Sequence, residues 1–147
     1  HLGQQQLVMA DRTKRGLLLL YVDLDNMKSI NDGFGHRTGD QALTDVAAVL
    51  RKSFRKSDII ARIGGDEFAV LAIETAQKGK DVVLGRLHEH TKAFNTSKQR
   101  PYDLGMSVGC AVYDSDNACS IAALLDRADR LMYEDKSRRK KLGTNDA

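Results

Sequence analysis

The chain has 147 residues, which is near the most common size of one domain and is long enough for a hydrophobic core. Its hydrophobic content of 41% and its charged content of 29% are ordinary for a globular protein. The net charge of +3 is too small to indicate a nucleic-acid-binding or membrane-binding protein, and the longest apolar run, Leu17 to Val22, is too short to span a bilayer. We therefore expect a single domain over residues 1–147, with no nucleic-acid partner and no direct membrane contact.

Cysteine usage and the first residue bear on the cellular context. Cys110 and Cys119 lack the spacing of a metal or redox site, which is typical of a reduced, cytosolic chain. The chain begins at His1 rather than at a methionine, so we expect an N-terminally truncated fragment of a longer multidomain protein. The expected location is the cytoplasm, either free or as the cytoplasmic part of a membrane-anchored protein.

The apolar pattern predicts a leading helix over Leu2–Arg15 and then strands and helices in the order βααββαβα. The first strand, Leu17–Val22, is an unbroken apolar run of the kind that is buried on both faces of a sheet. The later elements are a short helix over Asn26–Asp32, a helix opened by Gly39 and Asp40 that extends to Phe54, a hairpin of Ile59–Ile63 and Phe68–Ile73, a helix over Lys78–Phe94, a strand over Leu104–Tyr113 and a final helix capped by Ser120. This order predicts an α+β fold with a mostly antiparallel central sheet flanked by helices.

The hairpin turn carries Gly64, Gly65, Asp66 and Glu67. Its glycines favour a tight turn, because glycine accepts the positive φ that such turns need. Two adjacent carboxylates repel each other, and a divalent metal ion relieves that repulsion. The alternative interpretation is a solvated acidic turn.

A second acidic feature lies at the end of the first strand, where Asp23 and Asp25 follow the apolar run. The predicted topology places this strand end beside the hairpin turn with Asp66 and Glu67. Carboxylates from two neighbouring strands, with a backbone carbonyl nearby, form an oxygen-rich site that suits Mg²⁺ when substrate phosphates supply further ligands. Such a site supports phosphoryl or nucleotidyl transfer. The alternative for Asp25 is that it caps the next helix.

Four blocks of sequence, in register, resemble the GGDEF domain, the catalytic domain of bacterial diguanylate cyclases. The blocks are Asp23–Asp32 with Phe34-Gly35-His36 and Gly39–Leu43, then Gly64–Phe68, then Ser107-Val108-Gly109, and finally Ala128-Asp129 with Tyr133 and Lys136. The resemblance covers roughly Leu17 to Lys141. It implies a fold like the palm of nucleotidyl cyclases and polymerases, with a ferredoxin-like βααββαβ core.

The resemblance implies a reaction in which two GTP condense into cyclic di-GMP with release of two pyrophosphates. Asp66 and Glu67 would be the catalytic residues. Asp23 and Asp66 would hold Mg²⁺ (or Mn²⁺) with the Leu24 carbonyl, and Glu67 would either add a ligand or help to activate the ribose 3′-hydroxyl. Because one domain holds one GTP, the family's active species is a homodimer, and catalysis depends on positioning and charge stabilisation.

The resemblance also implies which residues bind GTP. They are Asn26 and Met27 through backbone amides, Lys28, Lys136 and Lys140 through charge, Asn31 and Asp40 at the guanine, and Gly64 and Gly65 of the turn. A carboxylate and an amide match the donors of guanine, which adenine lacks, so we expect GTP to be preferred over ATP. As alternatives, Asn31 and Asp40 would be helix caps, and the lysines of the tail would form a solvated basic face.

A second site is implied by Arg55 and Asp58, which match the family's RxxD motif for cyclic di-GMP binding and product inhibition. Arg86, on the following predicted helix, lies where family members often have a further arginine. Arginine pairs with a phosphate or with a guanine edge through two parallel hydrogen bonds. The alternative interpretation is an ordinary charged helix end.

Departures from the family pattern define the remaining alternatives. Met27 replaces the usual Phe, Arg139 and Lys140 replace the common Gly-Arg, and the family's upstream Asp-x-Leu-Thr-Gly-Leu-x-Asn-Arg-Arg segment is absent. A catalytically silent GGDEF domain that binds GTP or cyclic di-GMP as a regulatory switch is the main alternative, although silent members usually lose the carboxylates kept here at Asp66 and Glu67. A palm-type polymerase fragment is disfavoured by the mild net charge.

Overall fold

A computed structural model of the chain describes residues 16–73, 76–114, 116 and 118–146. Its elements, in order, are β1 Leu17–Leu24, α1 Met27–Phe34, α2 His36–Ser53, β2 Ile59–Arg62, β3 Glu67–Ile73, α3 Ala76–Thr96, β4 Met106–Tyr113 and α4 Ile121–Asp146. The predicted order βααββαβα is confirmed, and the predicted helix over Leu2–Arg15 lies outside the described residues. Within those residues no helix combines the length and apolarity needed to cross a membrane.

The sheet has four strands in the order β2-β3-β1-β4, and every neighbouring pair is antiparallel. β1 is therefore a central strand, as its unbroken apolar sequence predicts. Its register places Asp23 opposite Glu67 of β3 on one side and opposite Ser107 of β4 on the other. The end of β1 is consequently the point at which three strands bring polar side chains together.

The two faces of β1 belong to two hydrophobic cores because successive side chains of a strand point to opposite faces. Leu18, Leu20, Val22 and Leu24 pack in the core that includes residues of α1, α2 and α3. The alternate residues, Leu17 and Leu19 among them, pack with Leu124 and Ala128 of α4. Helices therefore cover both faces of the sheet, and α4 lies on the face to which Asp23 belongs.

Several predicted boundaries differ from the observed ones by one to three residues, and two of the differences have an identifiable local cause. α2 begins at His36 rather than at Gly39 and Asp40, because Gly35, with φ 93°, turns the chain directly from α1 into α2. β4 begins at Met106 rather than at Leu104. The side-chain amide of Asn95 in α3 donates to the Leu104 carbonyl at 2.9 Å and accepts from its N–H at 2.8 Å.

The last helix packs closely against the sheet, with its backbone against Gly109 of β4. Ser120 caps α4, as predicted, by accepting from the Ala123 N–H at 3.1 Å. Farther along, a Cβ added at Gly109 of β4 would lie 2.0 Å from the Ala128 carbonyl oxygen and 2.2 Å from the Met132 nitrogen. Only glycine permits this approach, so Gly109 determines how closely α4 lies over the end of β1.

We expect Gly109→Ala to destabilise the protein by about 3 kcal/mol, because a backbone contact cannot rotate away as a side chain can. Urea unfolding followed by circular dichroism measures this difference. Gly85→Ala is the matched control: Gly85 lies inside α3, and a Cβ there would meet nothing within 4 Å. That variant gains helix propensity and should be more stable by up to about 1 kcal/mol. Equal stability of Gly109→Ala and wild type would contradict the close packing of α4.

Candidate active site

Asp23 is the buried carboxylate of the site, since it lies at the end of β1 and is only 5% exposed. Its Oδ2 accepts a hydrogen bond from Lys136 Nζ at 2.6 Å, whereas its Oδ1 is buried with no hydrogen-bond partner. Burial raises the pKa of Asp23, the charges of Asp66 and Glu67 raise it further, and Lys136 opposes them. A carboxylate in this environment is stabilised by a second cation or donor at Oδ1.

The hairpin turn is attached directly to the end of β1. The Leu24 N–H donates to the Asp66 carbonyl at 3.0 Å. Within the turn, Arg62 donates from Nη2 to the Gly65 carbonyl at 2.6 Å and from Nε to the Gly64 carbonyl at 3.2 Å. These bonds bring Asp66 beside Asp23, as the topology predicts.

The prediction that Gly64 and Gly65 supply the positive φ of a tight hairpin turn was wrong, because neither glycine has a positive φ. Four residues separate β2 from β3, so the turn is longer than a tight two-residue hairpin, and the Arg62 side chain holds its carbonyls. A Cβ at Gly64 would lie 3.3 Å from Glu67 Oε2, whereas one at Gly65 would meet no atom within 4 Å. Gly64 therefore leaves space for the Glu67 carboxylate.

Glu67 is oriented by a tyrosine that the sequence analysis missed. The hydroxyl of Tyr21 donates to Glu67 Oε2. Burial, followed by the hydrogen bond to Glu67 and its charge, raises the pKa of Tyr21 well above its ordinary value, so the phenol stays a donor. Tyr21 precedes Asp23 by two residues on the same face and is diagonal to Glu67 across the strands, so strand alternation was the available signal.

Helix α4 supplies two cations to two carboxylates at the end of β1. Lys136 binds Asp23, and Arg139 Nε donates to Asp25 Oδ2 at 2.9 Å. The other oxygen of Asp25 accepts from the buried Ser107 hydroxyl at 2.6 Å. The interpretation of Asp25 as a helix cap was therefore wrong.

The cap position of α1 is Asn26, with φ 62° and no side-chain cap bond. In the sequence, Arg139 is recognisable only as a departure from the family pattern, and its contact with Asp25 was not predicted. Lys140, which follows it on α4, is exposed.

A second group of residues predicted to bind nucleotide is formed where α1 meets α2. Asn31 lies within α1, and its Oδ1 is buried without a hydrogen-bond partner. A Cβ at Gly39 would lie 1.9 Å from that oxygen, so α2 packs against Asn31 through Gly39. Asp40, the next residue, is exposed inside α2. Neither Asn31 nor Asp40 caps a helix, so that alternative was wrong, and Lys28 is an exposed residue of α1.

The residues of the predicted product site lie at the end of α2. The Arg55 N–H donates to Asp58 Oδ2 at 2.8 Å, and the Asp58 N–H donates to the Arg55 carbonyl at 3.0 Å, which closes a turn. Arg86 of α3 has a buried Nε without a partner. His90, one helical turn later, is 2.9 Å from the hydroxyl of Ser53, the last residue of α2. Since residues i and i+4 share a helix face, Arg86 faces the same helix end.

The donor atoms around Asp23 fit a magnesium ion. Asp23, Asp66, Glu67 and the Leu24 carbonyl offer only oxygen, which is the donor type that Mg²⁺ prefers. Among the described residues, no three His, Cys, Asp or Glu side chains already form a metal-binding cluster. An ion here would therefore depend on the backbone carbonyl and on oxygens of a bound substrate to complete its coordination.

The family model described as "Diguanylate cyclase, GGDEF domain" matches residues 2–142. Diguanylate cyclase DgcP of Pseudomonas aeruginosa is 36% identical over 134 residues, which are 90% of this chain and 20% of that protein. Cyclic di-GMP phosphodiesterase PdeR of Escherichia coli is 34% identical over 134 residues, 86% of this chain and 19% of that protein. The chain thus spans about a fifth of the length of these two relatives.

Solved structures show the same fold. The GGDEF domain of PA1120 (YfiN or TpbB) from Pseudomonas aeruginosa has a TM-score of 0.81 and 33% identity, covering 92% of this chain and 85% of that one. The GGDEF domain of DgcB from Caulobacter crescentus, in complex with c-di-GMP, has a TM-score of 0.78 and 27% identity, covering 92% and 80%. The expected palm-like α+β fold is confirmed.

Proposed function

The chain belongs to the GGDEF family, and on that premise we propose that it condenses two GTP into cyclic di-GMP with release of two pyrophosphates. The observation that carries this proposal is the buried, unpartnered Oδ1 of Asp23 beside the intact Gly64–Phe68 motif. An oxygen in that position is costly for the fold unless a cation binds it. It is therefore the feature expected of a site built for metal-assisted nucleotidyl transfer.

In this proposal, Asp23, Asp66, Glu67 and the Leu24 carbonyl hold Mg²⁺ or Mn²⁺. The bound ion supplies charge neutralisation at the phosphates and makes the 3′-hydroxyl easier to deprotonate. Tyr21 holds Glu67 by its Oε2, which leaves Oε1 for the ion or for the hydroxyl proton. The chain contributes positioning and fixed charge rather than a covalent intermediate.

The nucleotide is proposed to lie between the Asp23 site and the junction of α1 and α2. Asn31 and Asp40 read the guanine, and Asn31 Oδ1 is a buried acceptor that a guanine donor would satisfy. The phosphates are neutralised by Lys28, Lys136 and Lys140 and bound by the amides of Asn26 and Met27. A side chain at Gly65 would meet no protein atom within 4 Å, so this part of the turn is open, and in this proposal the nucleotide approaches the backbone there.

Catalysis is proposed to need two copies of the domain. Each domain binds one GTP, and the 3′-hydroxyl of each attacks the α-phosphate of the other, so two domains must face each other. The alternative is a domain that binds GTP or cyclic di-GMP without turnover. Similarity alone does not separate the two, because the relatives include PdeR, which is named as a phosphodiesterase, whereas the retained Asp66 and Glu67 favour the enzyme.

We expect Asp23→Asn and Asp66→Asn each to reduce cyclic di-GMP formation at least a thousandfold, since a lost ligand removes several kcal/mol of stabilisation of the transition state. The assay incubates the chain with GTP and Mg²⁺ and measures product by liquid chromatography. Asp126→Asn is the matched control, because Asp126 pairs with Arg130 on the exposed face of α4. If the wild-type chain forms no product at any protein concentration, the proposed cyclase activity is contradicted. If Asp23→Asn or Asp66→Asn remains active, the assignment of these residues as metal ligands is contradicted.

Gly39→Ala tests the guanine contact without removing a polar group. The new Cβ would lie 1.9 Å from Asn31 Oδ1, far closer than a non-bonded contact allows, so the Asn31 side chain must rotate. The fold should survive, because the atoms that the new Cβ meets belong to the side chains of Asn31 and Met27 rather than to backbone, and the helix propensity of alanine offsets part of the cost of moving them. Affinity for GTP should fall by roughly tenfold or more, the effect of losing one good hydrogen bond. Calorimetric titration with 3′-deoxy-GTP, which cannot condense, measures this, and unchanged affinity would remove Asn31 from the guanine site.

We also propose that Arg55, Asp58 and Arg86 bind cyclic di-GMP and inhibit the enzyme. The turn that Asp58 closes on the Arg55 N–H would hold the arginine in place. The buried, unpartnered Nε of Arg86 supports the proposal, because a guanidinium nitrogen that is removed from water needs an acceptor, which a ligand phosphate or guanine supplies.

Arg55→Ala should weaken cyclic di-GMP binding roughly tenfold to a hundredfold, the effect of one charge-assisted contact. The turn itself should survive, since its bonds use the backbone of Arg55. Arg51→Ala, at an exposed position one turn earlier in α2, is the matched control. Calorimetric titration of cyclic di-GMP into all three proteins compares them. If Arg55→Ala binds as tightly as wild type, the motif is only a charged helix end.

A further inference from the structure

The protein itself holds one of the two carboxylate oxygens of Glu67. The hydroxyl of Tyr21 donates to Oε2, and a carboxylate can only accept, so the direction of this bond follows from the two groups. The same oxygen lies beside Gly64, where a Cβ would be 3.3 Å from it. Within the part of the chain that the structure describes, Oε1 takes part in no hydrogen bond. Glu67 is therefore left with a single oxygen for a ligand.

The bond between Tyr21 and Glu67 joins two groups that are each fixed by their surroundings. The Tyr21 ring is partly buried and packs against the core on the α4 side of the sheet. Its position on β1 is set from both sides, since it pairs with Ala69 of β3 and with Gly109 of β4. The Glu67 carbonyl accepts from the Ile63 N–H at 3.0 Å, which fixes the backbone where β3 begins. Neither partner can turn away without disturbing the sheet.

We propose that Tyr21 determines which divalent ion the site accepts, by restricting Glu67 to one metal-binding oxygen. The proposal rests on the proposed function, because it takes Glu67 to be a ligand of the ion. Tyr21 is then a positioning residue that acts through Glu67 rather than by binding the ion.

The restriction distinguishes Mg²⁺ from Ca²⁺ by the number of ligands. Mg²⁺ requires octahedral geometry with oxygens at about 2.0–2.1 Å, and one oxygen from each carboxylate suits that arrangement. Ca²⁺ takes roughly six to eight oxygens at about 2.3–2.6 Å and often uses both oxygens of a carboxylate. A Glu67 that offers only Oε1 serves Mg²⁺ and denies Ca²⁺ one ligand. Because the two ions carry the same charge, the electrostatics of the site alone would not separate them.

Tyr21→Phe tests the proposal, because it removes the donor and keeps the ring that packs in the core. Calorimetric titration of 3′-deoxy-GTP is carried out once with excess MgCl₂ and once with excess CaCl₂. The guanine and phosphate contacts are common to both titrations, so the ratio of the two dissociation constants reports how each ion is bound. We expect the ratio of the Ca²⁺ value to the Mg²⁺ value to be at least roughly tenfold smaller in Tyr21→Phe than in wild type, the effect of one added charge-assisted contact.

Tyr102→Phe is the matched control. The Tyr102 hydroxyl donates to the buried carboxylate of Asp45 at 2.5 Å, so this variant removes a bond of the same kind without touching Glu67. Its ratio should equal that of wild type. A residue that only stabilised the fold would weaken binding with both ions alike and leave the ratio unchanged. An unchanged ratio in Tyr21→Phe, or an equal change in both variants, would overturn the proposal.

A double-mutant cycle with Glu67→Gln tests whether Tyr21 acts through Glu67. The glutamine amide has one oxygen, so removal of the Tyr21 hydroxyl cannot free a second one. Tyr21→Phe should therefore leave the ratio unchanged in the Glu67→Gln background, and a change that persists there would contradict the proposed route. None of these titrations requires turnover. A chain that makes no cyclic di-GMP yet shows the expected change contradicts the cyclase activity alone, and an active chain without the change contradicts the role of Tyr21 alone.

Discussion

The pair between Lys136 and Asp23 is the interaction on which the site depends, because a central strand of a sheet ends there in a buried carboxylate. Such a carboxylate is stable only with a cation or with hydrogen-bond donors. The strand order provides neighbours on both sides of β1, the turn after β2 brings Asp66, and β3 begins with Glu67. Asp23, Asp66 and Glu67 thus come from neighbouring strand ends, and the only cation paired with Asp23 in the described structure comes from α4. Much of the remaining architecture determines where that cation lies.

The packing of α4 determines the position of the cation. Gly109 lets the helix backbone rest on β4, and the ion pair between Arg139 and Asp25 holds the helix one turn beyond Lys136. Asp25 is held in turn by the Ser107 hydroxyl. These contacts need to be precise for function rather than strong for folding, since burying charge contributes little net stability. A region that concentrates like charges in this way is typical of a functional site. The repulsion lowers the stability of the fold, and burial in the two apolar cores offsets that loss.

Much of the fold was predictable because its signals are local. The apolar run of β1, the helical stripes and the breaks at glycine predict the order of elements, and that order predicts the sheet. The boundaries that were wrong depend on long-range or unusual contacts: Asn95 takes the backbone bonds of Leu104, and Gly35 joins two helices with almost no loop. The turn glycines were misjudged because the Arg62 side chain, rather than a positive φ, shapes that turn.

The sequence by itself identified the family, through the resemblance of four blocks of residues, and it determined the element order and the carboxylates near the end of β1, because these follow from the pattern along the chain. Only the tertiary structure decided the partner of each carboxylate. Tyr21 binds Glu67, Arg139 binds Asp25, and Lys136 binds Asp23, across separations of 46, 114 and 113 residues. No local pattern encodes such pairs, since they depend on the strand register and on the distance between α4 and the sheet. A change in either would leave the motifs intact and separate the charges that the site needs.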